Sequence, residues 1–229
     1  MASLDNPTPS RRRPVLLAVA VVVIVVLGVA AFFWGRDSGT VAAPPPGEAS
    51  PQPGTLPSSP DTAVPTTAPQ DVRWELYQGV AVPMSDTHGP SSTDGAVASG
   101  YAHTPTGALI ASVQIVYRLA LAPADQWRAV AEQQVTGPDK AKFLAQLAEV
   151  DRGQTDPRIQ QIAGFRIVSY DAQTAVIETA SGSVGKYTVG TQVMRWENGD
   201  WRLHMSDAEH STARVSPDLS GFVPWSGVK

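Results

Sequence analysis

The sequence predicts an α+β protein that is held at a membrane by one N-terminal transmembrane helix. Three observations support this prediction: an apolar segment at residues 15–34, a proline-rich stretch at residues 35–71, and a change from helical to strand periodicity within residues 72–229. Helices followed by a run of strands are typical of α+β domains, in which helices cover one face of an antiparallel sheet. Residues 1–14 would then form a cytoplasmic tail.

Residues 15–34 have the length and composition of a membrane-spanning helix. They carry no charge, and fourteen of the twenty are Val, Leu, Ile or Phe. At a rise of about 1.5 Å per residue they span about 30 Å, the thickness of the hydrocarbon core. The preceding arginines predict that the N-terminus is cytoplasmic and that the C-terminal domain is extracytoplasmic. These flanking residues are Arg11, Arg12 and Arg13.

A cleaved signal peptide is the alternative interpretation of this segment. Residues 29–31, Val-Ala-Ala, resemble a cleavage site, but the apolar run continues through Trp34. The apolar part of a signal peptide usually has about 7–15 residues, so the length favours an uncleaved signal-anchor. The nine prolines of residues 35–71 predict a disordered linker that cannot bury enough apolar surface to fold. In extended polyproline form it would reach up to ~100 Å from the membrane.

Within residues 72–229, proline marks the start of three predicted helices. Thr104 followed by Pro105 is typical of an N-cap and first helical position, and residues 107–121 are apolar almost all round, which indicates a buried helix. Pro123 and Pro138 are expected to open the second and third helices. The expected inward-facing residues of these two helices are Trp127, Val130, Ala131, Val135, Phe143, Leu144, Leu147 and Ala148. Before the first helix, we expect one strand in residues 72–82 and a loop in residues 83–103.

The C-terminal half has the two-residue periodicity of strands. The predicted strands are residues 165–170, 174–179, 186–197 and 200–205, with a loop at 181–185. Asn198-Gly199 is a strong signal for a tight hairpin between the last two strands. In that hairpin, Trp196 and Trp201 are expected to lie on one face of adjacent strands, with Met194 and Leu203 in the same apolar row.

Two resemblances extend this prediction. The hairpin sequence at residues 196–203, Trp-Glu-Asn-Gly-Asp-Trp-Arg-Leu, resembles the terminal hairpin of domains with the nuclear-transport-factor-2-like fold, which implies a curved antiparallel sheet wrapped around helices as a cone. Residues 88–90, 100–108 and 221–225 resemble a family of actinobacterial membrane-anchored proteins that are often encoded with integrative or conjugative elements. The layout is also similar to the inner-membrane scaffold subunits of type IV secretion systems. No catalytic residues transfer from these resemblances.

A search for catalytic and metal-binding motifs gives weak candidates. Lys186 follows a glycine-containing loop, but Ala180 and Tyr187 stand where a phosphate-binding loop needs Gly and Ser or Thr. The chain has no G-x-S-x-G motif of a serine hydrolase. A loose polar cluster after the last predicted strand matches no known metal-ligand spacing. Its members are His204, Asp207, Glu209 and His210.

The remaining candidates lie near the start of the first helix. Tyr101, His103 and Tyr117 are the residues that a cone-shaped isomerase or dehydratase could place in its cavity. The alternative role for His103 is structural, fixing the preceding loop to the helix end beside Thr104. The stretch Tyr101, His103, Thr104 and Pro105 is therefore our candidate interaction or structural motif.

The composition narrows the functional classes. The 229 residues include no cysteine, which excludes disulfides, cysteine-ligated metals and a thiol nucleophile. The net charge of −4 argues against a nucleic-acid partner. We expect a non-enzymatic scaffold domain without catalytic residues, cofactor or metal. Its expected partners are the lipid bilayer and proteins of a secretion or conjugal-transfer apparatus, and a homo-oligomer is compatible with this role. A lipid- or small-molecule-binding domain is the alternative, and an enzyme is the third.

Overall fold

The computed structural model describes residues 62–149, 160–206 and 213–227. The predicted transmembrane segment at 15–34, its flanking arginines and most of the predicted linker lie outside the described residues. Within the described ranges, no helix is both long and apolar enough to cross a membrane. The described part is α+β, as predicted, with helices packed against a curved sheet.

The first helix begins where the sequence predicts. Helix α1 spans Pro105–Leu121, and its N-cap is Thr104, whose side chain accepts a hydrogen bond from the N–H of Gly107 at 3.0 Å. This bond satisfies one of the N–H groups that a helix cannot bond internally at its first turn. Fifteen of the seventeen residues of α1 are buried, which agrees with its nearly uniform apolar composition.

The second helix begins later than its proline predicts. Helix α2 spans Trp127–Gln134, while residues 123–126 form a turn in which the N–H of Gln126 bonds the carbonyl of Pro123 at 3.2 Å. Ala124 has a φ of 50°, a left-handed conformation that interrupts a right-handed helix. Val135 lies beyond the helix end, in strand β5 (Val135–Thr136), where it is buried.

The third helix, α3, spans Lys140–Ala148 and starts two positions after Pro138. Phe143 and Leu147 are buried and Leu144 is half-buried, as predicted. Ala148 was predicted to face inward but is exposed, because the helix ends there.

Two hairpins precede α1 where the sequence predicts one strand and a long loop. β1 (Val72–Tyr77) pairs with β2 (Val80–Ser85), and β3 (Ser92–Asp94) pairs with β4 (Val97–Ser99). The turn between β1 and β2 has positive φ at both residues, 51° at Gln78 and 84° at Gly79, as in a type I′ turn. Glutamine rarely adopts this conformation, so the sequence offers little indication of a turn at residues 78 and 79. The loop predicted for residues 83–103 is therefore wrong.

The main sheet of the described residues has the order β11-β6-β7-β8-β9-β5, with β10 paired to β8. Its other strands are β6 (Ile162–Tyr170), β7 (Thr174–Ser183), β8 (Lys186–Glu197), β9 (Asp200–His204), β10 (Arg214–Ser216) and β11 (Val223–Pro224). Because β5 runs parallel to β9, the sheet is mixed and not wholly antiparallel as predicted. The loop predicted at residues 181–185 shrinks to a two-residue turn, since β7 continues to Ser183.

The β8–β9 hairpin confirms the predicted register. Trp196 pairs with Trp201 and Met194 pairs with Leu203, while the turn residues Asn198 and Gly199 have positive φ values of 54° and 79°. Met194, Trp201 and Leu203 are buried in the core between the sheet and α1. Because α1 contacts β9 as well as β2 and β4, its N-terminus is brought close to the hairpin.

Candidate functional site

The segment at residues 100–105 joins β4 to α1, and the start of β9 binds it. The carboxylate of Asp200 accepts hydrogen bonds from the backbone N–H groups of Gly100 at 2.9 Å and Tyr101 at 3.0 Å. It also accepts one from the N–H of Trp201 at 2.9 Å. Hydrogen bonds to an ionised carboxylate are stronger than neutral ones. Asp200 therefore links the chain entering α1 to the hairpin.

The carbonyl of Ala102 is a second link between the same elements. It accepts hydrogen bonds from the indole Nε1 of Trp201 at 3.0 Å and from the N–H of Thr104 at 2.8 Å. The helix lies so close that a Cβ built on Gly107 would be 2.0 Å from this carbonyl oxygen. Only glycine at position 107 allows this approach without displacing the segment.

His103 contacts the sheet through both its ring face and its ring nitrogen. The imidazole stacks on the indole of Trp196, with centroids 4.0 Å apart and planes 5° apart, and meets Trp201 edge-on at 5.7 Å. Its Nε2 forms a short hydrogen bond with the carbonyl of Ala172, in the turn between β6 and β7. Since a carbonyl can only accept, Nε2 carries the proton in this contact.

A different histidine reaches the helix cap. The Nδ1 of His88 lies 3.1 Å from the hydroxyl oxygen of Thr104, and the carbonyl of His88 accepts a hydrogen bond from the N–H of Ala102 at 3.1 Å. The cap-fixing contact considered for His103 is thus made by His88, while His103 fastens the segment to the β6–β7 turn.

Behind the segment, a buried arginine lies among polar side chains. Arg118 of α1 is 5% exposed. Its Nε donates to Oε1 of Gln114 at 2.8 Å and its Nη1 donates to the carbonyl of Ala96 at 3.1 Å, while the guanidinium lies 4.5 Å from the ring centre of Tyr77. No carboxylate of the described residues forms an ion pair with it. Burial lowers the pKa of Arg118.

Three buried polar atoms around this arginine have no hydrogen-bond partner. They are the hydroxyls of Tyr77 and Tyr101 and the Oε1 of Gln134, whose Nε2 donates to the carbonyl of Ala98. We call these residues, with Arg118 and Gln114, the Arg118 cluster. Burial raises the pKa of Tyr101 against the opposing effect of the nearby Arg118 charge, so this phenol stays protonated at neutral pH. An unpartnered buried polar atom costs about 1–3 kcal/mol.

The structure separates the three predicted catalytic candidates. Tyr101 points into the Arg118 cluster, whereas His103 lies against Trp196 of the sheet. Tyr117 donates its hydroxyl proton to the carbonyl of Gln160 at 2.7 Å, and burial raises its pKa to about 12. Tyr101 is 3% exposed, so it belongs to the core and not to a surface motif.

The weaker candidates remain apart from this region. Lys186 begins β8 after a two-residue turn, with a strand on each side, which is not the strand-to-helix context of a phosphate-binding loop. Three members of the loose polar cluster, Asp207, Glu209 and His210, lie outside the described residues. In the described ranges, no three His, Asp or Glu side chains are grouped to hold a metal ion.

Comparison with known families covers most of the chain. A family model matches residues 37–224, a range that includes the 100–105 segment, the Arg118 cluster and the β8–β9 hairpin. The chain belongs to the DUF8175 family. This family is described as a domain of unknown function. Searches of curated proteins and of solved structures return no match.

Sequence reasoning missed two features of this DUF8175 domain. Asp200 stands beside the Asn-Gly turn, where an acidic residue is usually explained by the turn itself, so nothing local signals its bonds to residues 100 and 101. Arg118 and Gln114 are the large, strongly polar residues of a mostly apolar helix, and that contrast was the available signal for the Arg118 cluster.

Proposed function

We propose that this DUF8175 protein is a non-enzymatic, single-pass membrane protein that presents an interaction domain outside the cytoplasm. Residues 15–34 form the uncleaved anchor, residues 35–71 form the spacer, and the domain that follows serves as a scaffold in a secretion or conjugal-transfer assembly. The finer fold proposed for the domain is a nuclear-transport-factor-2-like cone, since the buried α1 lies against the curved strands β6–β9.

The observation that carries the non-enzymatic part is the use of the 100–105 segment. Four of its polar groups are engaged in internal bonds: the N–H groups of Gly100 and Tyr101 with Asp200, the carbonyl of Ala102 with Trp201, and the ring of His103 with Ala172. A general acid or base needs a proton-transfer position that a substrate can reach. A segment with these contacts is suited to holding a surface in shape.

The absence of cysteine gives a direct test of the membrane topology. Single cysteines at Ser10, before the anchor, and at Val184, which is 89% exposed, would be treated on intact cells with a membrane-impermeant maleimide. We expect labelling of Val184→Cys in intact cells and of Ser10→Cys only after the membrane is opened. Release of the domain into the medium, or labelling of both only after lysis, would contradict the proposal.

A second function, ligand binding, is favoured by the Arg118 cluster. A buried guanidinium without a carboxylate partner, beside two unpartnered phenol hydroxyls, offers donors that suit a carboxylate or phosphate group on a lipid or small molecule. A ligand that binds the folded state raises the melting temperature. Acetate, phosphate and decanoate would be tested by thermal denaturation of the full-length protein and of Arg118→Gln. If none of these compounds raises the melting temperature of the native protein more than that of Arg118→Gln, this function is excluded.

A further inference from the structure

Strand β1 has one free edge. It belongs to a two-stranded sheet with β2, and among the described residues no strand pairs with its other side. Its register with β2 is continuous over all six residues, with no bulge, and it contains no proline. Bulges and prolines are devices by which proteins blunt exposed edges, so β1 retains a backbone that another strand can pair with.

The contacts of β2 show which groups of β1 face outward. The N–H of Ala81 donates to Oε1 of Gln161 at 2.9 Å and not to β1, and the carbonyl of Pro83 accepts from Nε2 of Gln114 at 2.8 Å. Residues 81 and 83 thus direct their polar groups away from β1. Because bonded and non-bonded pairs alternate in an antiparallel ladder, β2 bonds β1 through residues 80, 82 and 84.

The register then assigns the free groups of β1. Residues 80, 82 and 84 pair with Tyr77, Glu75 and Arg73, whose N–H and C=O groups are therefore used inside the hairpin. The N–H and C=O groups of residues 72, 74 and 76 point to the free edge. They offer three donors and three acceptors in the alternating arrangement that an added antiparallel strand requires.

The side chains of β1 are complementary to those of a second β1 strand placed antiparallel beside it. Arg73 and Glu75 have opposite charges and are about half exposed, at 51% and 53%. Leu76 is 78% exposed, an unusual exposure for a large apolar side chain, and Val72 lies on the same side of the strand four residues away. Reversing the strand about Trp74 exchanges residue 73 with 75 and residue 72 with 76.

We propose that β1 pairs antiparallel with β1 of a second copy of this chain, about a two-fold axis through Trp74. In this pairing Arg73 lies opposite Glu75 of the second copy, and Val72 lies opposite Leu76 of the second copy. Both charge pairs occupy non-bonded positions, where side chains are closest, at about 4.5 Å between Cα atoms. The two-fold symmetry makes each contact twice.

Other registers fit less well. Centring the pairing on Arg73 or on Glu75 places like charges opposite each other, which is unfavourable. Centring it on Val72 or Leu76 leaves most of each strand beyond the end of the other. The present partners of Arg73, which are Glu75 at 3.2 Å and Asp86 at 2.6 Å, are exposed surface ion pairs, and their rearrangement costs little.

The expected dimer is weak. Stable interfaces usually bury more than about 1,000 Å², and one added strand pair buries less. This inference goes beyond the proposed scaffold function and does not depend on the membrane anchor, although copies held in one membrane would meet at a higher effective concentration.

Disulfide trapping in this cysteine-free chain tests the register. Full-length Arg73→Cys and Glu75→Cys proteins would be mixed under mild oxidation, and the mixed pair should form a disulfide because residues 73 and 75 face each other across the interface. Each variant alone should cross-link much less, since its two cysteines are then too far apart. Val184→Cys, at an exposed turn away from β1, measures random collision. Mixed product no greater than that of Val184→Cys, or equal amounts of self-linked product, would overturn the proposal.

Charge exchange supplies a second, independent measurement. Arg73→Glu or Glu75→Arg places like charges in both pairs and should weaken the dimer on the order of tenfold, whereas the double variant Arg73→Glu/Glu75→Arg should restore it. Sedimentation of the full-length protein in mild detergent gives the dimer fraction, and thermal denaturation verifies that each variant folds. A double variant as monomeric as the single ones would refute the paired arrangement.

Discussion

The imidazole of His103 lies flat against the indole of Trp196, with ring centroids 4.0 Å apart and planes only 5° apart. This contact joins the residue before the N-cap of α1 to the β8–β9 hairpin of the main sheet. Trp196 also meets Trp201 at 5.4 Å, so the histidine extends an aromatic row that continues into the core. The stack on Trp196 and the hydrogen bonds of Asp200 hold the same segment. We therefore expect mutations of these residues to lower the stability of the domain by different amounts.

Removing the carboxylate of Asp200 should destabilise the domain substantially. Asp200→Ala leaves the N–H groups of Gly100 and Tyr101 without their acceptor, and we expect a loss of about 1.5–3 kcal/mol, the usual value for hydrogen bonds to a charged group. Asp94→Ala, at an exposed position of β3, is the control and should change stability by less than about 0.5 kcal/mol. Urea denaturation measures both. Equal effects would mean that the Asp200 bonds contribute nothing net.

Adding one methyl group at Gly107 should also destabilise the fold. Alanine favours helices over glycine by about 1 kcal/mol, so intrinsic propensity predicts a gain. The added Cβ would instead be 2.0 Å from the carbonyl oxygen of Ala102, which must then move away from Trp201. We expect Gly107→Ala to lose about 1–3 kcal/mol, as overpacked sites do. A variant as stable as the native protein would show that the segment yields freely.

The sequence predicts the local parts of this arrangement but not their meeting. The Thr104-Pro105 start and the Asn198-Gly199 turn are encoded within a few adjacent residues, and both occur as predicted. The contact between His103 and Trp196 depends on how α1 docks on the sheet. No periodicity encodes that docking, because it arises from packing between segments that are distant in the chain. The Gln78-Gly79 turn is local, but the sequence did not predict it because glutamine is a rare residue at a positive φ.

His204 should make the domain less stable below neutral pH. Burial and the nearby charge of Arg195 lower the pKa of His204 in the folded state. As the pH falls through the unfolded value of about 6.5, the unfolded chain takes up a proton that the folded one does not. The contribution of His204 to the free energy of unfolding is therefore fully present above about pH 6.5. It decreases below this pH and levels off once the folded form is also protonated.

Replacing His204 with glutamine removes this proton uptake and should flatten that part of the pH profile. Urea midpoints of the native protein and of His204→Gln, measured between about pH 7.5 and pH 5.5, give the comparison. His103→Gln, at a histidine of the segment before α1, is the matched control and should keep the slope due to His204. The same decrease in native and His204→Gln proteins would assign the pH dependence to other groups.

The last prediction separates a scaffold from an enzyme with two variants of neighbouring aromatic residues. Trp201 is fully buried, so Trp201→Ala should cost about 3–5 kcal/mol through lost transfer energy and a cavity. His103→Ala loses a stacked pair, worth about 0.5–1.5 kcal/mol, and one hydrogen bond, so its domain should stay folded. Thermal denaturation gives the stabilities, and conjugal transfer or secretion by cells carrying each variant gives the function.

If His103 shapes a docking surface, His103→Ala lowers transfer while the domain remains folded, and His103→Phe, which keeps a flat ring on Trp196, restores part of it. If instead His103→Ala abolishes turnover of a small molecule without unfolding the domain, and His103→Phe fails to restore it, the histidine acts as a chemical group and the non-enzymatic proposal is wrong.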